Sequence, residues 1–128
     1  MERTLFSSGA KWEDVVGYSR AIRHGNVIEV SGSTSLENGK LVGIGDIALQ
    51  TRTTLNVIKK AINGLGGEMK DIIRTRIYVT DIKLWEQVAV VHGEIFNEIK
   101  PVTSLIEISA LIDPDMLVEI EATAIVED

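Results

Sequence analysis

The stretch that decides the fold is MLVEIEATAIVED, which runs from Met116 to Asp128. Apolar residues occupy every second position of it: Val118, Ile120, Ala122, Ala124 and Val126. The intervening positions begin with Glu119 and Glu121. Because successive side chains leave a β-strand on opposite faces, this alternation predicts a half-buried strand. Its carboxylates are then directed at water, at another subunit or at a substrate.

The first half of the chain predicts a hairpin and a long helix. Two β-prone runs flank the tight-turn signal HGN at His24–Asn26, and ENGK at Glu37–Lys40 marks a second turn. Asp46 is a suitable N-cap, and the residues after it recur at the three- and four-residue spacing of an amphipathic helix. The glycines of Gly64–Gly67 end this helix.

The second half predicts a strand, a helix and two further strands. DIIRTRIYVTD, residues 71–81, alternates with these residues on one face: Ile73, Thr75, Ile77 and Val79. The opposite face carries Arg74, Arg76, Tyr78 and Thr80. A helix over 83–99 has the apolar stripe Trp85, Val88, His92, Ile95, Phe96 and Ile99. The strand that follows Pro101 precedes the strand quoted first.

The order of these elements predicts the fold class. A hairpin, a helix, a strand, a helix and two strands allow two helices to cover one face of one mixed sheet. The prediction is therefore an α+β two-layer sandwich, formed by a single domain over residues 1–128.

Composition limits the partners and the chemistry. The chain has no cysteine, which excludes disulfides and thiol catalysis, and its net charge of −6 disfavours nucleic acid. No apolar run is long enough to span a bilayer, and the start MERTLFSSG lacks the apolar core of a signal peptide. We expect a cytoplasmic protein with no nucleic-acid or membrane partner.

The sheet face that the helices leave uncovered has a mixed composition. We assume that the more apolar parity of each strand faces the helices. The uncovered face then carries Val27, Glu29, Ser31, Arg74, Arg76, Tyr78, Thr103, Leu105, Glu107, Glu119 and Glu121. Unpaired charges are costly to bury, and large apolar residues are not needed on a solvated face. The mixture favours a subunit interface that holds a polar cleft, and a solvated face with cross-strand ion pairs is the alternative.

Few residues outside this face suggest chemistry. Gly43 and Gly45 precede a helix but lack the remainder of a phosphate-binding loop. The two histidines, His24 and His92, lack metal-ligand spacing, so no metal site is predicted, and His92 is typical of a packed helix histidine. Glu121 in mid-strand either pairs with an arginine or acts as a base on a bound water.

Four strings in this order resemble the Rid family (reactive intermediate deaminases, YjgF-like, also labelled L-PSP endoribonuclease-like). They are GYSRAIRHGNVIEVSGS, GDIALQTRTTLNVIKKAI, DIIRTRIYVTDI and LVEIEATAIV. The resemblance implies a chorismate-mutase-like fold and a homotrimer with small-molecule clefts between neighbouring subunits. It also implies the hydrolysis of reactive enamines and imines, such as 2-aminoacrylate, to keto acids and ammonia, without a metal or organic cofactor. The endoribonuclease label fits the negative charge poorly.

The resemblance assigns roles to four residues of this chain. Tyr18 matches the family's cleft tyrosine and Ser31 its ligand-binding serine. Glu121 matches the acidic residue that positions the attacking water. Leu105 stands where archetypal members have a cysteine whose backbone helps to hold the imine nitrogen.

Thr103 departs from the family pattern. Archetypal members have an arginine there that binds the substrate carboxylate bidentately, and losing such a contact weakens binding by roughly 100-fold. The chain is thus expected in an Arg-lacking branch with a poor affinity for the usual imines. One reading is a hydrolase of another imine or enamine, which either is anchored by one of Arg20, Arg23, Arg74 and Arg76 or lacks a carboxylate. Other readings are a deaminase resembling the 2-aminomuconate deaminases and a non-catalytic trimer that binds a small molecule or regulates a partner.

Overall fold

The computed structural model describes residues 2–127, so Met1 and Asp128, the ends of the predicted domain, lie outside the described residues. The strands are β1 (Arg3–Phe6), β2 (Ala21–His24), β3 (Val27–Ser33), β4 (Leu36–Glu37), β5 (Lys40–Leu41), β6 (Ile72–Val79), β7 (Val102–Glu107) and β8 (Val118–Ile125). The α-helices are α1 (Lys11–Val16), α2 (Ile47–Gly64) and α3 (Trp85–Phe96). Short 3-10 helices occupy Met69–Asp71 and Ile82–Leu84.

Six strands form one mixed sheet in the order β1-β2-β3-β8-β6-β7. Every neighbouring pair is antiparallel except β6 and β7, which are parallel and are connected through α3. The helices α2 and α3 pack on each other, and α2 also packs on β3 and β8. The predicted α+β two-layer sandwich is confirmed.

The alternation of β8 organises the core. Val118, Ile120, Ala122 and Ala124 are buried, and the residues between them are half-buried. Because β8 pairs with β3 on one side and β6 on the other, its apolar face lies at the middle of the sheet. Leu55, Ile58 and Ile62 of α2 belong to the same buried cluster.

The predicted turns and the helix start are confirmed. The pair His24 and Val27 closes the β2–β3 hairpin. In the β4–β5 hairpin, Asn38 and Gly39 have φ of 51° and 76°, the left-handed pair that a two-residue type I′ turn requires. The Asp46 side chain accepts a hydrogen bond from Leu49 N at 3.1 Å and caps α2.

Two local predictions were wrong. Ile73 is 46% exposed instead of buried, because the β6–β8 register shifts between Ile72 and Arg74 and buries Ile72 in its place. The second helix is shorter than 83–99: α3 begins at Trp85 after a 3-10 turn and ends at Phe96. The strand β1 and the helix α1 were not predicted.

The face assigned to β7 was also wrong. Thr103 is the cross-strand partner of Thr75, and Leu105 is the partner of Ile77. Both partners are buried on the helix side, so Thr103, Leu105 and Glu107 lie on that side too. The assumption about apolar parity fails because β7 is an edge strand, whose two outward apolar residues, Val102 and Ile106, are exposed.

Gln50 ties the start of α2 to the loop that enters β8. Its side chain is 1% exposed and makes three hydrogen bonds. Its Nε2 donates to Gly43 O at 3.1 Å and to Asp115 O at 2.8 Å, and its Oε1 accepts from Leu117 N at 2.9 Å. This buried amide therefore satisfies backbone groups from two separate loops.

Replacing Gln50 by alanine should lower the free energy of unfolding by about 3 kcal/mol, because three backbone groups lose a partner in a buried site. Urea unfolding at fixed protein concentration measures the change. Asn56→Ala, on the exposed side of α2, is the control and should change little. A loss no larger than that of the control would contradict the role of Gln50.

Candidate functional site

A polar cavity opens on the uncovered face of the sheet, where β2, β3, β8 and β6 adjoin. Its volume is about 270 Å³ and it is lined by Ser19, Ala21, Ile22, Glu29, Val30, Ser31, Arg76 and Glu121. Arg76 and Glu121 are cross-strand partners, so their Cα atoms lie opposite each other. Three of the predicted site residues, Ser31, Arg76 and Glu121, therefore line one cavity.

The Glu121 carboxylate has a tyrosine as its partner. Tyr78 Oη donates a hydrogen bond to Glu121 Oε1 at 3.0 Å. Among residues 2–127, neither Arg74 nor Arg76 forms an ion pair with a carboxylate. Glu121 is half-buried, and its carboxylate accepts a hydrogen bond from a neutral donor. The guanidinium groups of Arg74 and Arg76 can therefore still bind a ligand.

Tyr18 does not line this cavity: it lines a separate one on the other side of Ser19, where Arg20 holds it. Arg20 Nη2 donates to Tyr18 Oη at 3.1 Å, and the guanidinium carbon lies 5.4 Å from the centre of the tyrosine ring. Arg20 Nη1 donates to Gly32 O at 2.6 Å and to Ser33 Oγ at 3.3 Å. Arg20 is therefore a structural residue that links the predicted cleft tyrosine to the end of β3.

A buried acid partners this arginine. Glu13 of α1 is 4% exposed, and its Oε2 lies 3.6 Å from Arg20 Nε. The same oxygen accepts from Ser8 N at 3.2 Å and from the Ser8 hydroxyl. Burial raises the pKa of Glu13, but the hydrogen bonds from Ser8 and Ser7 and the charge of Arg20 outweigh it, and the net pKa is lowered.

Two of the four arginines considered as anchors are already engaged. Arg20 has the contacts given above. Arg23 Nε donates to Gly25 O at 2.9 Å, and its Nη1 donates to Leu65 O at 2.8 Å. Arg74 and Arg76 are the remaining candidates.

Ser31 and Gly32 shape the β3 side of the site. Ser31 Oγ donates to Arg20 O at 2.9 Å, so its proton is engaged and its lone pairs can accept from a ligand. A Cβ at Gly32 would lie 2.8 Å from Glu119 Cδ, which means that the Glu119 carboxylate occupies the space a side chain would need. Burial, and then the charge of Glu121, raise the pKa of Glu119.

Thr103 lies in a different polar cluster, on the helix side of the sheet. Its Oγ1 is 2.8 Å from Thr75 Oγ1, which is 2.9 Å from His92 Nε2. The His92 ring lies 4.4 Å from that of Phe96, and burial lowers its pKa. Leu105 packs against the core on this side. Within one chain, Thr103 and Leu105 are therefore separated from Glu121 by the sheet.

Sequence reasoning missed several contributors to the site. Tyr78 and Glu119 were assigned to the correct face, but neither was chosen as a site residue. The only signal for Tyr78 was its position on the strand face that also carries Arg74 and Arg76. The Glu13–Arg20 pair had no signal, because the two residues are joined by a turn that the pattern did not reveal.

The fold defines a class of protein, and comparison with known proteins identifies it. The family model described as Endoribonuclease L-PSP matches residues 8–126. The chain therefore belongs to this family, which solved relatives name the YjgF/YER057c/UK114 or Rid family.

Three relatives illustrate the similarity. The crystal structure of Rv2704 from Mycobacterium tuberculosis, a YjgF/YER057c/UK114 family member, is 48% identical, with a TM-score of 0.89 over 98% of this chain and 100% of that one. YyfA from Yersinia pestis, described as a protein of unknown function of the conserved Rid family, is 31% identical, with a TM-score of 0.87 and coverages of 98% and 100%. The 3-aminoacrylate deaminase RutC of Acinetobacter baylyi is 34% identical over 84% of this chain and 85% of its own.

Among the described residues, none of the helices has the length and apolar character needed to cross a membrane.

Glu13→Gln should lower the free energy of unfolding by about 2 kcal/mol near pH 7, since the buried Arg20 loses its ion pair. The pKa of Glu13 is lowered on folding, so this contribution is fully present above the unfolded value of 4.5. It is lost as the pH falls through the lower folded value. Urea unfolding between about pH 7 and pH 3 should show the two proteins converging at the acid end.

Asp14→Asn, which removes an exposed carboxylate beside Glu13, is the matched control and should show no such convergence. A difference between wild type and Glu13→Gln that stays constant over the pH range would contradict the assignment.

Proposed function

We propose that this protein is a cofactor-independent hydrolase of the deaminase type, which acts on a reactive imine or enamine in a cleft between the subunits of a homotrimer. The observation that carries the proposal is the Glu121 carboxylate: it lines a cavity with Arg76 and Ser31, and its partner is Tyr78 instead of an arginine. Family membership and the deaminase named among the relatives support the same reaction type.

The chemistry needs a base, a water and an oriented substrate. An imine carbon is electrophilic, and more so when its nitrogen is protonated. Glu121 removes a proton from water as the oxygen adds to this carbon, which gives a carbinolamine. Glu121 returns this proton to the nitrogen and accepts the carbinolamine hydroxyl proton as the C–N bond breaks, and the products are a carbonyl compound and ammonia. Orientation of the substrate and stabilisation of charge supply the remainder of the rate enhancement.

Arg76 is the proposed anchor for a negatively charged group of the substrate. It faces the same cavity as Glu121 and has no ion-pair partner among residues 2–127. A guanidinium can hold a carboxylate bidentately. Arg74 is the second candidate for the anchor. It lies two residues before Arg76 on the same face, where it pairs with Thr123 of β8 and Val102 of β7. Ser31 and Tyr18 would complete the binding site.

The two sides of the sheet explain why we place the cleft between subunits. Thr103 and Leu105, which match cleft positions of the family, lie on the helix side, whereas Glu121 lies on the other. One ligand can contact both groups only if they come from different copies of the chain. The uncovered face also exposes apolar side chains suited to an interface: Leu5, Val27, Val102 and Ile106.

A non-catalytic trimer that binds a small molecule is the second candidate. Thr103 favours it, because this residue carries no charge and its hydroxyl is engaged with Thr75. A deaminase resembling the 2-aminomuconate deaminases is a variant of the first candidate, with a different substrate. Turnover by the purified protein separates the hydrolases from the binding protein.

Glu121→Gln should reduce kcat for imine hydrolysis by about 100-fold or more, since the amide cannot accept the proton of the water. An amino-acid oxidase generates the imine in situ, semicarbazide traps it, and the protein competes with the trap. Glu98→Gln, which changes an exposed acid beyond α3, is the control and should retain full activity. Unchanged turnover by Glu121→Gln would remove Glu121 as the base.

Arg76→Gln should raise KM for a carboxylate-bearing imine by about 10- to 100-fold, because a charged hydrogen-bond donor is lost. Arg52→Gln, at a surface ion pair with Glu94, is the matched arginine control. If Arg74→Gln raises KM instead, Arg74 is the anchor. If only Thr103→Arg confers activity on these imines, the natural substrate lacks a carboxylate and the assignment of Arg76 is wrong.

A further inference from the structure

The hydroxyl of Tyr78 reaches the proposed base from the neighbouring strand. In the register of β6 and β8, the partner of Tyr78 is Glu119, and Glu121 is one step further along the same face. The phenol therefore crosses diagonally to donate to Glu121 Oε1 at 3.0 Å. Diagonal neighbours of this kind are within reach of an aromatic side chain.

We propose that Tyr78 is the positioning residue of the site: its hydroxyl holds the Glu121 carboxylate in one orientation and leaves the other oxygen for the attacking water. The inference rests on the proposed function in that it takes Glu121 as the base. Tyr78 touches the base and not the reacting atoms, so it acts through Glu121.

The contacts of Glu121 support this division of its two oxygens. Among residues 2–127, Tyr78 is the only side chain that donates to this carboxylate, and it binds Oε1 alone. Arg76, the direct cross-strand partner, makes no ion pair with it. Without the phenol, the carboxylate could rotate about its side-chain torsions, since a glutamate has several rotatable bonds and no other restraint here.

The environment keeps Tyr78 in the form that can donate. Burial, then the hydrogen bond to Glu121 and the charge of that carboxylate, raise the pKa of Tyr78 above its ordinary value of 10.0. The phenol therefore stays protonated at neutral pH. A phenol donates one hydrogen bond and so occupies one oxygen of Glu121, whereas an arginine in its place would compete with the water for both oxygens.

The neighbouring acid, Glu119, is a reason why Glu121 needs the hydrogen bond from Tyr78 to stay in position. Glu119 lies two residues before Glu121 on the same strand face, with its carboxylate beside Gly32. Burial raises the pKa of Glu119 most, and the charge of Glu121 raises it further, so the two carboxylates repel each other. The Tyr78 hydroxyl holds Glu121 in its position against this repulsion.

A tyrosinate titration tests the contact without any turnover. The chain has two tyrosines, Tyr18 and Tyr78, so Tyr18→Phe leaves Tyr78 as the only phenol to follow by ultraviolet absorbance. Adding Glu121→Gln should move the midpoint of this titration down toward 10.0, although burial will keep part of the shift. An unchanged midpoint would overturn the inference.

Kinetics test the consequence in the assay described above. Tyr78→Phe, which removes only the hydroxyl, should lower kcat by about tenfold and leave KM nearly unchanged, because substrate contacts remain and the base is misoriented. Thr80→Val removes a hydroxyl just beyond the end of β6, at a residue that does not line the cavity, and should retain most of the activity. Equal losses in the two variants would overturn the inference.

The two measurements separate this inference from the proposed function. If the titration midpoint responds to Glu121→Gln but wild-type protein hydrolyses no imine, the contact stands and the proposed hydrolase fails. If wild type is active while neither the midpoint nor kcat responds to the variants, the hydrolase stands and the role of Tyr78 fails.

Discussion

The pairing of β8 on both of its edges is the constraint on which the rest of the structure depends. Hydrogen bonds to β3 and β6 place this strand inside the sheet, and its two-residue period then separates the molecule into a core side and a site side. Ile120 is fully buried under the helices, and its neighbours Glu119 and Glu121 face away from them. A register slip of one residue would place both carboxylates in the core.

The predictable part of the fold is the part in which local pattern and tertiary environment agree. In β8 the two-residue apolar period predicts a half-buried strand, which is what the structure contains. In α2 the helical apolar period, the cap at Asp46 and the glycines at the end all predict the same helix, and the structure contains it. The β4–β5 turn was equally clear, because Asn38 and Gly39 tolerate left-handed backbone. Family resemblance, and not periodicity, supplied the chorismate-mutase-like arrangement, the expected assembly and the expected roles of the site residues.

The errors occur where the pattern carries no burial signal. On the edge strand β7, Val102 and Ile106 are apolar but exposed, so parity pointed to the wrong face and misplaced Thr103 and Leu105. At Ile73 a shift in the β6–β8 register interrupts the alternation, and no glycine, proline or other residue in the sequence indicated this shift. The candidate site was predictable to the extent that Arg76 and Glu121 lie at regular positions of central strands, whereas Ser31 lies where the β3–β8 register shifts. The Tyr78 contact depends on a diagonal across two strands, which periodicity does not encode.

The position of β8 in chain order has a consequence for biosynthesis. Of the strands that the structure describes, β8 comes last, yet it is the one that joins the β1–β2–β3 half to the β6–β7 half. Until β8 is available, β3 and β6 each present an unpaired edge, and such edges are templates for aggregation. During synthesis the nascent chain thus has two parts of the sheet that β8 has not yet joined. Chaperones that cover these edges would raise the yield of folded protein, and they would leave the stability of the finished fold unchanged.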